Sequence, residues 1–174
     1  GLTRLYHLGA ERVLQQSAYS FDFSLDQMMV GLVNGGSLYV PSREDRVNPM
    51  AIANIIATEK ITYTRATPTE YNSWMSYGDD LVNATDWSFA FAGGEVMPPS
   101  LRQNFAALGL PVRLFNSYGP AETVTCTKIE VPYEFDNGSG DIPVGFPLPN
   151  YTVSIVDNNL DIVPQGVSGE IVIG

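Results

Sequence analysis

The sequence predicts an α/β fold, a mostly parallel sheet flanked by helices and followed by a small antiparallel or barrel-like β portion. Three observations carry this expectation. Strand-like and helix-like segments alternate at short intervals over the first two thirds of the chain, the pattern that builds a parallel sheet under helices. Helical periodicity then stops near residue 120, and Gly, Pro and Asn punctuate short strand-like runs. The composition is that of a packed domain: 174 residues, 44% hydrophobic and 16% charged, long enough to bury a core without disulfide or metal staples.

Residues 13–18 read as the first strand. From Ser24 the apolar positions Leu25, Met28, Met29, Leu32 and Val33 recur at helical spacing, which predicts a helix that buries this stripe and stops at Gly35-Gly36. Residues 37–40 form a short second strand closed by Pro41, and Asn48-Pro49 opens a helix as N-cap and first-turn proline, with Ile52, Ile55 and Ile56 facing inward. Alternating and β-branched residues over 61–66 predict a third strand, ended by Pro68, before a short helix over 71–77. Residues 87–92 are an almost continuous apolar run, as in a strand covered on both faces, and they finish in Gly93-Gly94. Pro98-Pro99-Ser100 starts a helix with Leu101, Phe105 and Leu108 on one side and Gly109 as its cap, and a fifth strand follows at 111–115. Later strands are expected at 125–131, 152–156 and 169–173, with a flexible tract at 136–140. The division falls between an α/β part, 1–143, and a β portion that begins at 144 and runs through 174.

Charge narrows the functional classes. Asp and Glu outnumber Lys and Arg by 19 to 9, a formal net charge of −10, which opposes attraction to nucleic acid and to anionic membranes. No apolar run approaches a bilayer's thickness and the N-terminal residues lack a signal-peptide layout, so a soluble cytoplasmic protein is expected. A single cysteine, Cys126, and a single histidine, His7, exclude an internal disulfide and a structural zinc site. Cys126 has no histidine close in sequence to act as its base and reads as a pocket-wall or core thiol. His7 reads as a surface residue, and Trp74 and Trp87 as packing residues without a basic stripe for base stacking.

In doubly wound sheets ligands collect where loops leave the carboxyl ends of the strands. The segments 21–24, 65–68, 92–95 and 116–123 should meet there, and each holds more polar and glycine residues than a turn requires. Phe21-Asp22-Phe23-Ser24, Gly35-Gly36, Ala92-Gly93-Gly94-Glu95, Asn116-Ser117-Tyr118-Gly119-Pro120-Ala121-Glu122, Ile142-Pro143-Val144-Gly145-Phe146-Pro147 and Gly166-Val167-Ser168-Gly169-Glu170 occur in that order. In this order and spacing the chain resembles, over essentially its whole length, the adenylation domains of nonribosomal peptide synthetases, within the adenylate-forming superfamily. The resemblance implies the central, flavodoxin-like subdomain of an enzyme that uses ATP and Mg2+ to convert an amino acid to an aminoacyl-adenylate, then passes the acyl group to a peptidyl carrier protein. It also implies that the family's Ser/Thr/Gly/Lys phosphate loop lies upstream of Gly1, the ribose-binding aspartate beyond Gly174, and the carboxylate-contacting lysine in a C-terminal domain. The 174 residues alone are therefore expected to be inactive.

Residue by residue, the resemblance makes Asp22 the partner of the substrate's α-ammonium group. Elementary electrostatics agrees, since an aspartate beside a helix N-terminus is favoured in its ionised form; plain N-capping of the helix is the alternative. The family's side-chain pocket maps onto Phe23, Asp26, Arg65, Ala90, Ala92, Ser117, Thr125 and Cys126, with the alanines leaving room and Phe23 narrowing one wall. Asp26 and Arg65 should either pair with each other or meet a polar substrate, which predicts a polar or charged amino-acid side chain; a surface ion pair away from any pocket is the alternative. Tyr118 maps onto the adenine-stacking position, with Asn116 and the Gly93-Gly94 backbone at the base edge. Glu122 maps onto the magnesium ligand. Ala121 departs from the family's frequent threonine, which leaves Thr123 as the hydroxyl facing phosphate, and Glu95 either supports the nucleotide loop or starts the next helix. Two other classes remain open, a self-contained flavodoxin-like module for a nucleotide or flavin and a noncatalytic interaction domain. The first is opposed by Phe21-Asp22-Phe23 where a Ser/Thr/Gly phosphate loop is needed.

Overall fold

The computed structural model describes residues 2–134 and 142–174, so the 136–140 tract lies outside the described residues. Seven strands form one sheet: β1 (Arg12–Leu14), β2 (Ser37–Tyr39), β3 (Tyr63–Ala66), β4 (Phe89–Gly93), β5 (Arg113–Tyr118), β6 (Thr127–Glu130) and β7 (Phe146–Pro147). Their order is β2-β1-β3-β4-β5-β6-β7, parallel through β5 and antiparallel for β6 and β7. The parallel part has flavodoxin-like order, with its topological switch between β1 and β3. The helices are α1 (Leu2–Tyr6), α2 (Phe23–Val33), α3 (Arg43–Arg46), α4 (Pro49–Thr58), α5 (Pro68–Tyr77) and α6 (Pro99–Leu108). A separate antiparallel pair, β8 (Val153–Val156) and β9 (Glu170–Ile173), completes the chain. Because β7 joins the large sheet, the separate β piece starts at Val153, not near residue 144. Among the described residues no helix is long and apolar enough to cross a membrane.

Local chemistry explains where the helices begin and end. The Asn48 side chain accepts hydrogen bonds from the Met50 and Ala51 amides ahead of Pro49. Thr67 and Glu70 form a reciprocal capping box, which moves the start of α5 to Pro68, earlier than apolar spacing alone suggests. Gly109 adopts the left-handed conformation, φ 64°, at the end of α6.

The sheet's two faces differ in kind. On one, Ile52 and Ile56 of α4, Tyr71 and Trp74 of α5, and Leu101 and Phe105 of α6 pack with Ala66, Ala90, Ala92 and Leu114 in a closed apolar core that includes Trp87. On the other, Leu8, Val13, Val30, Tyr63, Phe89, Phe91 and Phe115 cluster beneath α2, with the Tyr6 ring edge-on to Phe91 and Phe115 at 5.6 and 4.9 Å. Here the expected helix stripe is overturned. α2 turns Phe23, Ser24, Asp26, Gln27, Val30 and Gly31 inward and leaves Leu25, Met29, Leu32 and Val33 exposed, the last two by 63% and 67%. Buried polar bonds decide this orientation. Gln27 Nε2 donates to Ser17 Oγ at 3.0 Å and to the Arg65 carbonyl at 2.9 Å, and Asp26 meets the charged groups described below. Gly31 then allows close approach to β2, since a Cβ there would fall 2.7 Å from Leu38 Cδ2.

Candidate active site

The carboxyl ends of β3, β4 and β5 and the start of α2 enclose a buried charge cluster. Arg65, the penultimate residue of β3, is only 2% exposed, and its Nη1 lies 2.9 Å from Asp26 Oδ2. The Tyr63 hydroxyl donates to the same carboxylate at 2.6 Å. Arg65 Nη2 donates to Thr125 Oγ1 at 2.5 Å and to the Val124 carbonyl at 3.2 Å, and its guanidinium lies 4.1 Å from the Phe23 ring centre. Val124 holds φ 59°, a strained conformation for a β-branched residue that this bond helps to fix. Burial pushes the Asp26 carboxyl up, but the Lys128 and Arg65 cations and the Tyr63 hydroxyl outweigh it and lower it to about 2. Burial and the Asp26 charge push the Tyr63 phenol well above its ordinary range. Asp26 and Arg65 thus pair with each other inside the protein; they are not a surface pair.

Strand register corrects part of the expected pocket. β3 and β4 pair with Arg65 beside Phe91 and Ala66 beside Ala92, and β4 and β5 pair with Gly93 beside Ser117. Side chains alternate faces along a strand, so Phe91 and Gly93 share the face of Arg65 and Ser117. Ala90 and Ala92 point to the opposite face, into the apolar core under α4, α5 and α6, and line no pocket with Arg65. Gly93 leaves space where a Cβ would fall 3.3 Å from Phe23 Cζ and 2.8 Å from the Ser117 carbonyl. The open space on the Arg65 face lies at Gly93, not at the two alanines.

Several polar atoms around this cluster are buried without a hydrogen-bond partner among the described residues: Asp22 Oδ1, Arg65 Nε, Ser117 Oγ and Lys128 Nζ. Asp22 stands at the N-cap position of α2 but makes no side-chain capping bond, so capping does not account for it. Lys128 was not singled out from the sequence. It lies beside Ser117 in the β5–β6 register, is 4% exposed, and holds Nζ 4.2 Å from the Phe91 ring centre and 5.9 Å from that of Tyr6. Burial pulls its ammonium down to about 8 against the raising effect of Asp26, with Arg65 lowering it further. The signal in the sequence is its place two residues after Cys126 in an extended segment, on the same side by strand alternation. A cavity of about 210 Å³ adjoins the cluster, lined by Asp26, Thr123, Val124, Thr125, Leu148, Pro149 and Tyr151.

A second, larger cleft of about 500 Å³ lies between the loops after β4 and β5, lined by Gly94, Glu95, Met97, Asn116, Tyr118 and Val144 among others. Gly94 takes φ 78°, which a side chain would oppose. Asn116 Nδ2 donates to the Pro143 carbonyl at 2.9 Å and so braces the cleft wall. Glu95 accepts from the Thr69 amide and hydroxyl at 3.2 and 2.7 Å, tying the loop after β4 to the first turn of α5; it starts no helix. Thr123 spends its hydroxyl on the Pro120 carbonyl of its own turn, at 3.1 Å. Glu122 is exposed on that turn, and no cluster of three metal-ligating side chains occurs among the described residues. Cys126 is buried, its thiol near the Tyr118 carbonyl at 3.4 Å, and burial raises its pKa, which suits a wall thiol. His7 is exposed and both tryptophans are buried.

Fold and cavities together define an α/β protein with clefts at the carboxyl edge of its sheet. The family described as "AMP-binding enzyme" matches residues 2–174, and the chain belongs to it. It is 48% identical over 177 residues to the hybrid PKS-NRPS synthetase traA of Penicillium crustosum, covering 100% of this chain and 5% of that protein. It is 47% identical over 165 residues to the equisetin synthetase eqxS of Fusarium heterosporum, covering 93% of this chain and 4% of that protein. The chain therefore spans only a small part of these curated relatives. Among solved structures, the nonribosomal peptide synthetase FmoA3 in its AMPPNP-bound form superimposes with a TM-score of 0.89 at 25% identity, covering 99% of this chain and 19% of that one.

Proposed function

We propose that these residues form the amino-acid pocket and adenine wall of an adenylation domain that activates an amino acid with ATP and hands the acyl group to a carrier-protein thiol. In the first half-reaction a substrate carboxylate oxygen attacks the α-phosphorus of ATP, the α–β phosphoanhydride bond breaks, and pyrophosphate leaves. In the second the carrier thiol displaces AMP. This chain's share is positioning. Asp22 receives the α-ammonium, and the space left by Gly93 between Phe23 and Ser117 admits the side chain. Tyr118, Asn116 and the Gly94 backbone line the cleft suited to adenine. Glu122, one exposed carboxylate, suits Mg2+ that takes its other ligands from phosphates and water; the ion would offset charge on the phosphates. The groups gripping phosphate, ribose and the reacting carboxylate lie outside these residues on this reading, so the chain alone makes no adenylate.

The observation that carries the reading is the buried Asp22 carboxylate oxygen with no partner among the described residues, which a protonated amine satisfies and which repels a phosphate. It supports this reading over a free-standing flavin or nucleotide module. The test is amino-acid-dependent pyrophosphate exchange by the complete adenylation domain. Asp22→Asn keeps the shape and removes the charge; loss of a charge-assisted hydrogen bond is expected to lower kcat/KM for the amino acid about 10- to 100-fold. Unchanged exchange overturns the role.

A further inference from the structure

Within the pocket, opposite charges do not balance. Asp26 already receives Arg65 Nη1 at 2.9 Å and the Tyr63 hydroxyl at 2.6 Å. Among the described residues Lys128 makes no hydrogen bond and no close ion pair: Asp26 attracts it from farther off, and the faces of Phe91 and Tyr6 lie against it. With Asp22 set against the substrate's own ammonium, the remaining charged groups beneath α2 are one carboxylate, Asp26, and two cations, Arg65 and Lys128, so the surplus that faces the substrate side chain is positive. Burying an ammonium without a hydrogen-bonded counter-charge is unfavourable, and apolar packing at this position would be served equally by methionine. Around the charge cluster the unsatisfied atoms include two cationic donors, Arg65 Nε and Lys128 Nζ, and the Ser117 hydroxyl, which can also donate, while the acceptor Asp22 Oδ1 stands at the start of α2.

We infer that Lys128, with Arg65 and Ser117, selects a substrate whose side chain carries a carboxylate, and that Lys128 is a specificity-determining residue of this pocket. The inference rests on the adenylation reading above. Asp22 holds the end of the substrate that bears the amine, and the donors deeper under α2 receive the side-chain anion. β-strand register is what brings them together. Ser117 and Lys128 are direct neighbours across β5 and β6, Gly93 adjoins Ser117 across β4 and β5, and the missing side chain at Gly93 opens the path between them. A cationic side chain would face two positive groups, and an aliphatic one would leave the ammonium unpaired.

The experiment is pyrophosphate exchange by the complete adenylation domain with L-aspartate, L-glutamate, L-asparagine, L-glutamine, L-leucine and L-lysine, each as kcat/KM. The expected result is a preference of about 10- to 100-fold for one of the dicarboxylates over its own amide, the margin set by charge-assisted against neutral hydrogen bonding. Lys128→Met should collapse that acid-to-amide ratio toward unity, and Lys128→Arg should retain part of it. Should Lys128→Met fail to fold, the wild-type panel decides alone. Fastest exchange with leucine or lysine, or an acid-to-amide ratio unmoved by a folded Lys128→Met, overturns the inference while leaving the adenylation reading intact. No exchange with any amino acid overturns the adenylation reading, and the inference with it.

Discussion

The two faces of the sheet are built on opposite principles. Under α4, α5 and α6 the core is apolar throughout, with aromatic rings in edge and tilted contact: Tyr71 lies 5.1 Å from Trp74 and 5.3 Å from Phe105. Under α2, aromatic residues are interleaved with a buried arginine, aspartate and lysine, and several polar atoms end without a protein partner. A protein optimised only for stability would not place unpaired charge where hydrophobic packing is available. On the proposed reading the first face serves folding alone and the second serves binding as well.

The largest expected effects come from breaking each face in its own way. Arg65→Met takes the closest cation from the Asp26 carboxylate, leaving it the Tyr63 hydroxyl and Lys128, and should cost about 3–5 kcal/mol of unfolding free energy, whereas Asp26→Leu with Arg65→Met should recover part of that loss, because a buried ion pair is often replaceable by apolar groups but Lys128 then lacks its nearest anion. Phe105→Ala on the other face should cost a similar amount, about 3–5 kcal/mol, through its cavity, and no second substitution among the charged residues should rescue it. Denaturant unfolding of the four proteins checks both. Equal loss in the single and double charge variants would mean that the pair stabilises the fold outright.

A smaller effect follows from pH. Asp26 is held at about 2, below its ordinary 3.8, so its contribution to stability is fully present above about pH 4 and is lost as pH falls through 2. Lys128, held at about 8 against an ordinary 10.5, acts in the other window: its burial cost is present below pH 8 and is relieved as pH rises toward 10.5. Unfolding free energy measured against pH should show the acid limb flattened in Asp26→Asn and the alkaline rise missing in Lys128→Met. Identical profiles in wild type and variants would show that other groups govern both limbs.

The same contrast explains what the sequence could disclose. The apolar face was legible: the Asn48-Pro49 start, the inward Ile52, Ile55 and Ile56, the buried 87–92 run and the Gly109 stop all follow local rules. The binding face was legible as residue types but not as geometry. A stripe of Leu25, Met29, Leu32 and Val33 outweighs Asp26 and Gln27 in any apolar periodicity, yet long-range bonds from Ser17 and Arg65 set the rotation of α2. A strand's period of two makes a one-residue error reverse the face, which is how Ala90 and Ala92 stood in for Phe91 and Gly93. Lys128 lay hidden because its neighbour Ser117 is eleven residues away, across a turn whose register no local rule fixes.

The most direct test is a crystal structure of the complete adenylation domain with an aminoacyl-adenylate analogue. The expected result is an ammonium within hydrogen-bond distance of Asp22 Oδ1, a side chain passing Gly93 toward Arg65 and Lys128, and adenine against Tyr118. A ligand seated elsewhere, with Asp22 and Lys128 still unpartnered in the filled site, would contradict the account.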